Sequence, residues 1–509
     1  IKHQSKERGI YMKKQRQAYS ITDSPNNTSK ASPPTGEESI SKNIKNNQPN
    51  QVAHNSGSSN REFLAKEPIG KLLAKLALPT VAAQMINMLY NIVDRIYIGH
   101  IPQNGSLALT GVGVCMPLIM IISAFAALVG NGGAPRATIY MGKNKKDDAE
   151  KILGNCFTMQ IILSVILTTV LLIWNCDLLL AFGASKNTIN YATSYMNIYA
   201  IGTIFVQLTL GMNAFITAQG FAKEGMLSVL IGAIANIILD PIFIFALHMG
   251  VKGAALATII SQGCSCIWVL SFLFGKRTTL RIRVKNLGLQ ASYILPCLAL
   301  GSAVFIMQGS ESIISVCFNS SLLKYGGDMA VGAMTILTSV MQFAMLPLQG
   351  LGQGAQPIIS YNYGAKNASR VKDAFKLLLK VSLTYSVLLW LCIMCFPQVF
   401  ASIFTPDTAL IEFTKVALRY YLAVMFLFGV QISCQMTFNA LGNAPASIIV
   451  AIMRKFVLLI PLIFIMPHIY TADKTMAVYM AEPIADLIAV TFTAILFFFQ
   501  FRKALREIE

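Results

Sequence analysis

The sequence predicts an all-α integral membrane protein, with twelve transmembrane helices arranged as two pseudo-symmetric six-helix bundles. Three observations lead to this fold class: an apolar composition, recurring apolar segments of membrane-spanning length, and an internal repeat. Hydrophobic residues make up 54% of the 509 residues and charged residues only 13%, a balance unlike that of a soluble enzyme. The bilayer is therefore the expected surroundings of most of the chain.

Apolar segments long enough to cross about 30 Å of hydrocarbon recur along the chain. They predict twelve spans, near 70–98, 107–133, 150–175, 188–219, 225–247, 252–275, 290–322, 329–358, 371–396, 409–440, 444–467 and 475–501. The first six spans belong to a predicted N-terminal lobe, residues 66–285, and the last six to a C-terminal lobe, residues 286–509. Residues 1–65 are polar and rich in Asn, Ser, Lys and Gln, which predicts a disordered cytoplasmic tail.

Basic residues lie in alternate loops. They follow the second, sixth, eighth and twelfth spans: Lys143, Lys145, Lys146 and Lys151; Lys276, Arg277, Arg281, Arg283 and Lys285; Lys366, Arg370, Lys372 and Lys376; Arg502, Lys503 and Arg506. By the positive-inside bias, these loops and both ends of the chain are cytoplasmic. The net charge of +18 then reflects the topology of the chain. Because the basic residues alternate with apolar spans, the pattern argues against nucleic-acid binding.

The chain repeats itself at a shift of 222 residues. This shift superposes five pairs of identical residues: Ala108 on Ala330, Gly132 on Gly354, Pro135 on Pro357, Gly142 on Gly364 and Gly220 on Gly442. Because each half holds an even number of spans, both halves begin on the same side, and the repeat axis lies along the membrane normal. Paired six-span bundles of this kind favour a transporter over a channel.

Asp240 is the one charged residue within the apolar stretch 226–247. An ionisable group at membrane depth costs roughly 2.5 to 3.5 kcal/mol, so it marks an ion path or a substrate site. Asn236 lies one helical turn earlier on the same face, and Pro241 frees the carbonyl group of Ile237. These residues predict an oxygen-rich site for a cation or a proton.

The ten cysteines, from Cys115 to Cys434, fall within or at the ends of predicted spans, where packing as small apolar side chains is their usual role. Cys392 and Cys395 form a C-x-x-C motif in an apolar helix without a βαβ context. Packing is therefore favoured over redox chemistry for this motif.

Two longer motifs carry a family resemblance. The run from Leu78 to Gly99 resembles the first helix of multidrug and toxic compound extrusion (MATE) transporters, and the run from Gly350 to Ala365 resembles their eighth-helix signature. With the N-x-x-x-D-P motif at 236–241, the resemblance covers about 70–501 and is closest to the bacterial MepA-like branch near the DinF-type transporters. It implies a twelve-helix, two-lobed antiporter of the bacterial plasma (inner) membrane that expels bulky, often cationic organic compounds in exchange for protons or sodium.

The same resemblance implies a cation site in the N-terminal lobe, formed by Asp94, Tyr195, Asn236, Asp240 and Thr258. Helices 1 and 5 run outward and reach Asp94 and Asp240 late, whereas helices 4 and 6 run inward and reach Tyr195 and Thr258 early. All five side chains are therefore expected at similar depth in the outer half. If the protein couples to sodium, Asp94, Asn236, Asp240 and Thr258 are the expected ligands.

Two neighbouring carboxylates in a low dielectric cannot both remain ionised without compensation. A proton, a sodium ion or a cationic substrate would supply it, and competition among them would couple their fluxes. For Asp94 the alternative is an ion pair with Arg95, although adjacent helical residues point about 100° apart. Asp240 has no basic residue nearby in the sequence.

Charged residues of the C-terminal lobe are weaker candidates. Glu311 on helix 7 either holds a cationic substrate or pairs with a cation of its own lobe. Arg454 and Lys455 on helix 11 are expected to form structural ion pairs with Glu482 and Asp486 on helix 12. The sequence leaves open whether this lobe holds a second ion site.

Met341, Phe343 and Met345 form a possible pliable surface for substrates, because Met side chains repack easily. At helical spacing, the alternative is that they face lipid or the core.

Other functional classes fit less well. The sequence has no G-x-x-x-x-G-K-[ST] phosphate loop, and no H-E-x-x-H or G-x-S-x-G element, so neither an ATP-driven pump nor an enzyme is expected. A flippase for lipid-linked saccharides is the main alternative, yet it would be expected to line its cavity with basic residues. A ligand sensor without turnover is disfavoured by the paired carboxylates. We expect small organic, cationic substrates, no cofactor beyond a coupling proton or sodium ion, and a monomer.

Overall fold

The computed structural model of the protein describes residues 63–102 and 105–509. The predicted tail therefore lies outside the described residues except for 63–65, which are helical instead of disordered. Leu64 is fully buried in the core, and its carbonyl oxygen accepts hydrogen bonds from Asn362 Nδ2 and Arg370 Nη2, both at 3.2 Å. These contacts with distant residues explain why 63–65 are ordered.

The described residues are almost entirely helical, and we number the spans α1 to α12. Their bounds are α1 Ile69–Gly99, α2 Gly105–Gly142, α3 Lys146–Ala181, α4 Ile189–Ile201 with Thr203–Ala218, α5 Ala222–Pro241 with the π-helical turn Ile242–Ala246, α6 Val251–Phe274, α7 and α8 together Ala291–Gly364, α9 Ala368–Cys395, α10 Thr408–Tyr421 with Phe428–Ala440, α11 Ala444–Ile452 with the π-helical turn Met453–Leu459 and Ile460–Ile469, and α12 Lys474–Arg506.

Within the described residues, nine continuous helices are long and apolar enough to cross a membrane, and the bent α4 and α10 raise the number to eleven. The twelfth span comes from Ala291–Gly364, which is 74 residues long and contains one non-helical residue, Gly327, at φ 65°. Glycine adopts this left-handed conformation at little steric cost. Cys297 and Tyr361 both contact the last part of α2, so the chain doubles back at Gly327 into α7 (291–326) and α8 (328–364).

The predicted fold class, twelve helices in two six-helix bundles, is confirmed, with differences at particular spans. The sequence predicts that the second and eighth spans end at 133 and 358, but both helices continue, to Gly142 and Gly364, where their ends pack on each other. The sequence predicts the fourth and tenth spans as single segments, and in the structure they bend by 58° and 47°.

The two lobes share a core at one end only. We call the end where α1 begins the inner end. There a single hydrophobic cluster joins residues of both lobes, among them Leu72 and Ile358. At the outer end each lobe has a separate cluster, one containing Tyr195 and the other Tyr479. The lobes therefore hold together at the inner end.

Two polar contacts between the lobes join the first half of α1 to the second half of α8. Thr80 Oγ1 donates to the carbonyl oxygen of Gly350 at 2.6 Å, and Gln84 Nε2 donates to Gln353 Oε1 at 3.2 Å. Farther along, the rings of Phe125 in α2 and Phe305 in α7 lie 4.8 Å apart.

Candidate functional site

The end of α5 carries two polar side chains on one face. Asn236 and Asp240 are four residues apart, and Asn236 Nδ2 donates to Asp240 Oδ1 at 3.2 Å. Both residues are buried, with 1% and 0% exposure. Pro241 has no N–H group, and the helix continues as the π-helical turn Ile242–Ala246, a distortion that often accompanies functional sites.

Asp94 near the end of α1 faces Asp240. The residue is buried, and its carboxyl group lies close enough to that of Asp240 for the two to interact electrostatically. Arg95 is exposed and acts on Asp94 by electrostatic attraction at longer range. Among the described residues no ion pair within 4.0 Å joins the two, so Asp94 is directed to Asp240 instead of to its neighbour.

Tyr195 of α4 and Thr258 of α6 complete the group. Tyr195 lies near both Thr258 and Asp94, close enough for electrostatic interaction. Thr258 Oγ1 also donates to the carbonyl oxygen of Ala254 at 3.0 Å. The structure thus brings together all five side chains that the sequence placed in one site, from α1, α4, α5 and α6.

This group has more hydrogen-bond acceptors than donors. Asp94 Oδ1, Asn236 Oδ1 and Asp240 Oδ2 are buried, and none has a hydrogen-bond partner in the described part of the chain. Buried polar atoms are normally paired, and two adjacent carboxylates repel each other unless a positive charge lies between them. The arrangement is therefore suited to holding a proton or a cation.

The available ligand atoms are all oxygens, which suit hard cations. Asp94, Asn236, Asp240 and Thr258 are the side chains that would hold sodium. The described residues contain no cluster of three or more His, Cys, Asp or Glu side chains that could hold a metal ion. The group therefore does not resemble a site for zinc or another transition metal.

Two tyrosines near the site were not identified from the sequence. The ring of Tyr199 stacks on that of Tyr195 at a centroid distance of 6.0 Å. Tyr90 lies close enough to Asp94 to interact electrostatically. Both tyrosines lie one helical turn from a predicted site residue, and this spacing is the signal that could have identified them.

The C-terminal lobe contains a separate cluster of charges. Arg454 Nε donates to Asp486 Oδ1 at 2.6 Å and Arg454 Nη2 lies 3.7 Å from Glu482 Oε1, so of the ion pairs predicted between α11 and α12 those of Arg454 form, whereas Lys455 pairs with neither residue of α12. Lys455 Nζ lies 2.8 Å from Glu311 Oε1, so Glu311 pairs with a cation of its own lobe. The Glu311 side chain is nevertheless 54% exposed, and its role in substrate binding stays a prediction.

The three residues of α8 that were predicted to form a substrate-binding surface differ in their surroundings. Met341 and Met345 pack against the outer core of the C-terminal lobe, whereas Phe343 is exposed. Their contribution to a substrate surface also stays a prediction.

Comparison with known proteins gives a consistent result. The family model described as MatE matches residues 79–242 and 303–465, one segment in each lobe. The multidrug export protein MepA of Staphylococcus haemolyticus (strain JCSC1435) is 24% identical over 409 residues, which cover 80% of this chain and 89% of that protein.

Solved structures share the same fold. A MATE protein in the bent conformation superposes with a TM-score of 0.82 at 23% identity, covering 88% of this chain and 99% of that one. A multidrug resistance MATE family transporter of the MOP superfamily in an outward-facing conformation superposes with a TM-score of 0.80 at 24% identity, covering 88% and 98%.

Proposed function

Because the chain belongs to the MatE family of multi-pass membrane transporters, we propose that it is a secondary active antiporter that exports small organic compounds in exchange for protons or sodium ions. MepA, the relative described above, is a multidrug export protein, which supports a broad range of exported compounds here. We place the protein in a bacterial plasma membrane, with the inner end facing the cytoplasm because the basic loops lie there.

The observation that carries this proposal is the pair Asp94 and Asp240. The carboxyl groups face each other at the same site, and one oxygen of each has no hydrogen-bond donor in the described residues. A proton, a sodium ion or an organic cation would compensate their charge. Because only a limited positive charge is needed, binding of the ion and binding of a cationic substrate oppose each other, and this competition couples export to ion entry.

The positions of the three hydrophobic clusters support transport by alternating access. The shared cluster at the inner end and the separate clusters at the outer end are what we would expect of a state closed toward the cytoplasm. In this state substrate leaves to the outside and the ion reaches Asp94 and Asp240. The opposite state requires the inner contacts, such as Thr80 with Gly350, to separate.

The substrates we propose are organic cations, because the site is acidic and carries no basic side chain. No cofactor takes part beyond the coupling ion, and one chain contains both lobes, so a monomer is sufficient for function. A flippase of lipid-linked saccharides would have to bind pyrophosphate, and the acidic pair Asp94 and Asp240 opposes such an anion.

The test is export of a fluorescent organic cation from vesicles containing the purified protein, with proton and sodium gradients imposed separately. We expect one of the two gradients to drive dye movement in the wild type and not in Asp240→Asn. Asp177→Asn is the matched control, because Asp177 is exposed at the end of α3. If neither gradient moves the dye while a labelled lipid-linked saccharide crosses the bilayer, the flippase alternative is correct.

A further inference from the structure

One face of α5 carries small or polar residues from the candidate site to the inner end of the helix. At intervals of three or four residues this face presents Asp240, Asn236, Gly232, Ser228 and Gly225. At about 1.5 Å per residue, the distance from Asp240 to Gly225 is roughly 22 Å. The face therefore extends from the candidate site to the first turn of α5.

Polar faces of α6 and of the second segment of α4 have the same spacing. Their residues are Thr258, Ser261, Gln262 and Ser265 on α6, and Thr209, Asn213 and Thr217 on α4. Thr209 Oγ1 donates to the carbonyl oxygen of Gln262 at 3.2 Å, which joins α4 to α6. The two faces therefore meet each other inside the N-terminal lobe.

Both faces also meet the glycines of α5. A Cβ on Gly232 would overlap Ser265 Oγ, which donates to the carbonyl oxygen of Ser228 at 2.8 Å. A Cβ on Gly225 would lie 3.1 Å from Asn213 Oδ1, and Asn213 Nδ2 donates to the carbonyl oxygen of Gly225 at 3.3 Å. Polar atoms therefore occupy the space that side chains on these glycines would fill. We call the interior enclosed by the three faces the polar track.

Oxygen atoms of the polar track lack hydrogen-bond donors. Those that are buried without a partner in the described part of the chain are Asn213 Oδ1, Asn236 Oδ1, Asp240 Oδ2, Ser261 Oγ and Gln262 Oε1. Asn236 and Ser261 are only 1% and 3% exposed. A hydroxyl group that serves packing alone can donate within its own helix, as Thr258 does to the carbonyl oxygen of Ala254. Buried acceptors without such a partner are normally bonded to water.

We propose that the polar track holds a chain of water molecules that carries the coupling proton from Asp240 to the cytoplasm through the N-terminal lobe. Asp240 gives its proton to the first water, each water accepts one proton and donates another, and the last water releases a proton at the inner end. Only O–H bonds break and form. This inference rests on the proposed function and specifies the proton as its coupling ion. A sodium ion would have to carry its oxygen ligands through a space that direct hydrogen bonds between the helices confine.

Ser265 closes the polar track in this structure. Its hydroxyl group fills the space beside Gly232 and donates to Ser228, between the candidate site and the inner end. A continuous water chain while the site is open to the outside would let protons pass without substrate. Closure at Ser265 therefore keeps proton entry coupled to export, and the chain becomes continuous after the substrate has left.

The first test is structural and does not depend on transport. A crystal or cryo-EM structure that resolves ordered water should show water within about 3.2 Å of Asn236 Oδ1 and of Ser261 Oγ. If both oxygens lie in a map that resolves water elsewhere and neither has a water neighbour, the polar track is dry and the proposal is wrong.

The second test compares two variants in vesicles that contain a pH-sensitive dye. Ser265→Ala removes the closing hydroxyl group and leaves room for a water, so we expect protons to cross without substrate. Gly232→Ala combined with Ser265→Ala fills the same space with a methyl group and conserves the packed volume. This double variant should show no proton leak and should lose proton-driven export. Binding of tetraphenylphosphonium should be unchanged in both variants, which shows that they are folded.

The matched control is Gly263→Ala. Gly263 also lies in α6, but the atom nearest to the position of its Cβ is Phe205 Cδ2 at 4.0 Å. This variant should export like the wild type and should not leak. Wild-type export by the double variant, or no leak in Ser265→Ala, would overturn the proposal. If sodium alone drives wild-type export, the antiporter stands and the proton path is wrong. If no gradient drives export, the proposed function fails, and the water structure still decides whether the track is hydrated.

Discussion

Gly142 at the end of α2 and Gly364 at the end of α8 each lie against the backbone of the other's helix. A Cβ on Gly142 would overlap the carbonyl oxygen of Tyr361, and a Cβ on Gly364 would overlap the carbonyl oxygen of Ile139. Both pairs, Gly142 with Gly364 and Ile139 with Tyr361, are separated by the repeat distance of 222 residues. The pseudo-twofold axis therefore passes between these two helix ends, and the internal repeat produces the inner contact between the lobes.

Adding a methyl group at this contact should push the inner ends apart. We expect Gly142→Ala and Gly364→Ala each to disfavour the state with a closed inner end by about 1–3 kcal/mol, the usual range for overpacking. The measurement is the distance distribution between spectroscopic labels at positions 145 and 372, which hold exposed lysines at the inner ends of the two lobes. The expected change is a larger population with long distances.

The control for this prediction is Gly113→Ala. Gly113 also lies in α2, but no atom lies within 4 Å of the position that its Cβ would take. Its distance distribution should match the wild type. An unchanged distribution in both Gly142→Ala and Gly364→Ala would show that the inner contact is not limited by these glycines.

Arg370 at the beginning of α9 fixes the segment that precedes α1. Arg370 Nη2 donates to the carbonyl oxygens of Leu64 at 3.2 Å and Glu67 at 2.8 Å, and Arg370 Nε donates to Asn362 Oδ1 at 3.2 Å. At about 0.5–1.5 kcal/mol for each hydrogen bond, Arg370→Ala should raise amide hydrogen exchange in 63–68 by about tenfold or more. Arg370→Lys should restore little of this protection, because an ammonium group lacks the planar fork of a guanidinium.

The comparison variant is Lys372→Ala, which removes an exposed cation two residues away. Its exchange rates in 63–68 should equal those of the wild type. Equal protection in Arg370→Ala and the wild type would mean that the N-terminal segment is held by apolar contacts, such as those of Leu64, instead.

The fold and the N-terminal site were predictable because their signals are local. Apolar runs of spanning length identify the helices, and the spacing of Asn236 and Asp240 places both on one face. The convergence of Asp94, Tyr195 and Thr258 on them followed from the family resemblance and from helix direction. Their roles in ion coupling remain predictions.

Features that depend on packing between helices were not predictable. Nothing near Gly132 in the sequence indicates that Cys297 lies against it, since this contact depends on how α2 and α7 pack. For Glu311 the sequence left two alternatives open, and only the position of Lys455 shows the pairing. The bend at Gly202 also occurs without a proline, since 189–218 contains none.

The ion pair of Arg454 with Asp486 should contribute strongly to folding. Both side chains are 4% exposed and their closest atoms lie 2.6 Å apart. Removing one partner of a buried pair leaves an uncompensated charge, so Asp486→Ala should destabilise the protein by about 3–5 kcal/mol. Thermal unfolding in detergent, followed by loss of monodisperse protein, measures the change as a lower midpoint temperature.

The matched comparison is Glu412→Ala. Glu412 and Lys415 form an ion pair at 3.1 Å, but the Glu412 side chain is 60% exposed. An exposed pair contributes about 0–1 kcal/mol, so the midpoint should hardly move. Equal effects of Asp486→Ala and Glu412→Ala would show that the buried cluster is dispensable for stability.

The most direct test of the central claim is equilibrium binding of an organic cation, such as tetraphenylphosphonium, to the purified protein at several proton and sodium concentrations. If Asp94 and Asp240 are shared by ion and substrate, the Kd should rise with the concentration of one of these ions in the wild type. By linkage, bound substrate weakens ion binding by the same factor. In Asp240→Asn the dependence should disappear. A Kd that is independent of both ions in the wild type, or an unchanged dependence in Asp240→Asn, would contradict coupling through these carboxylates.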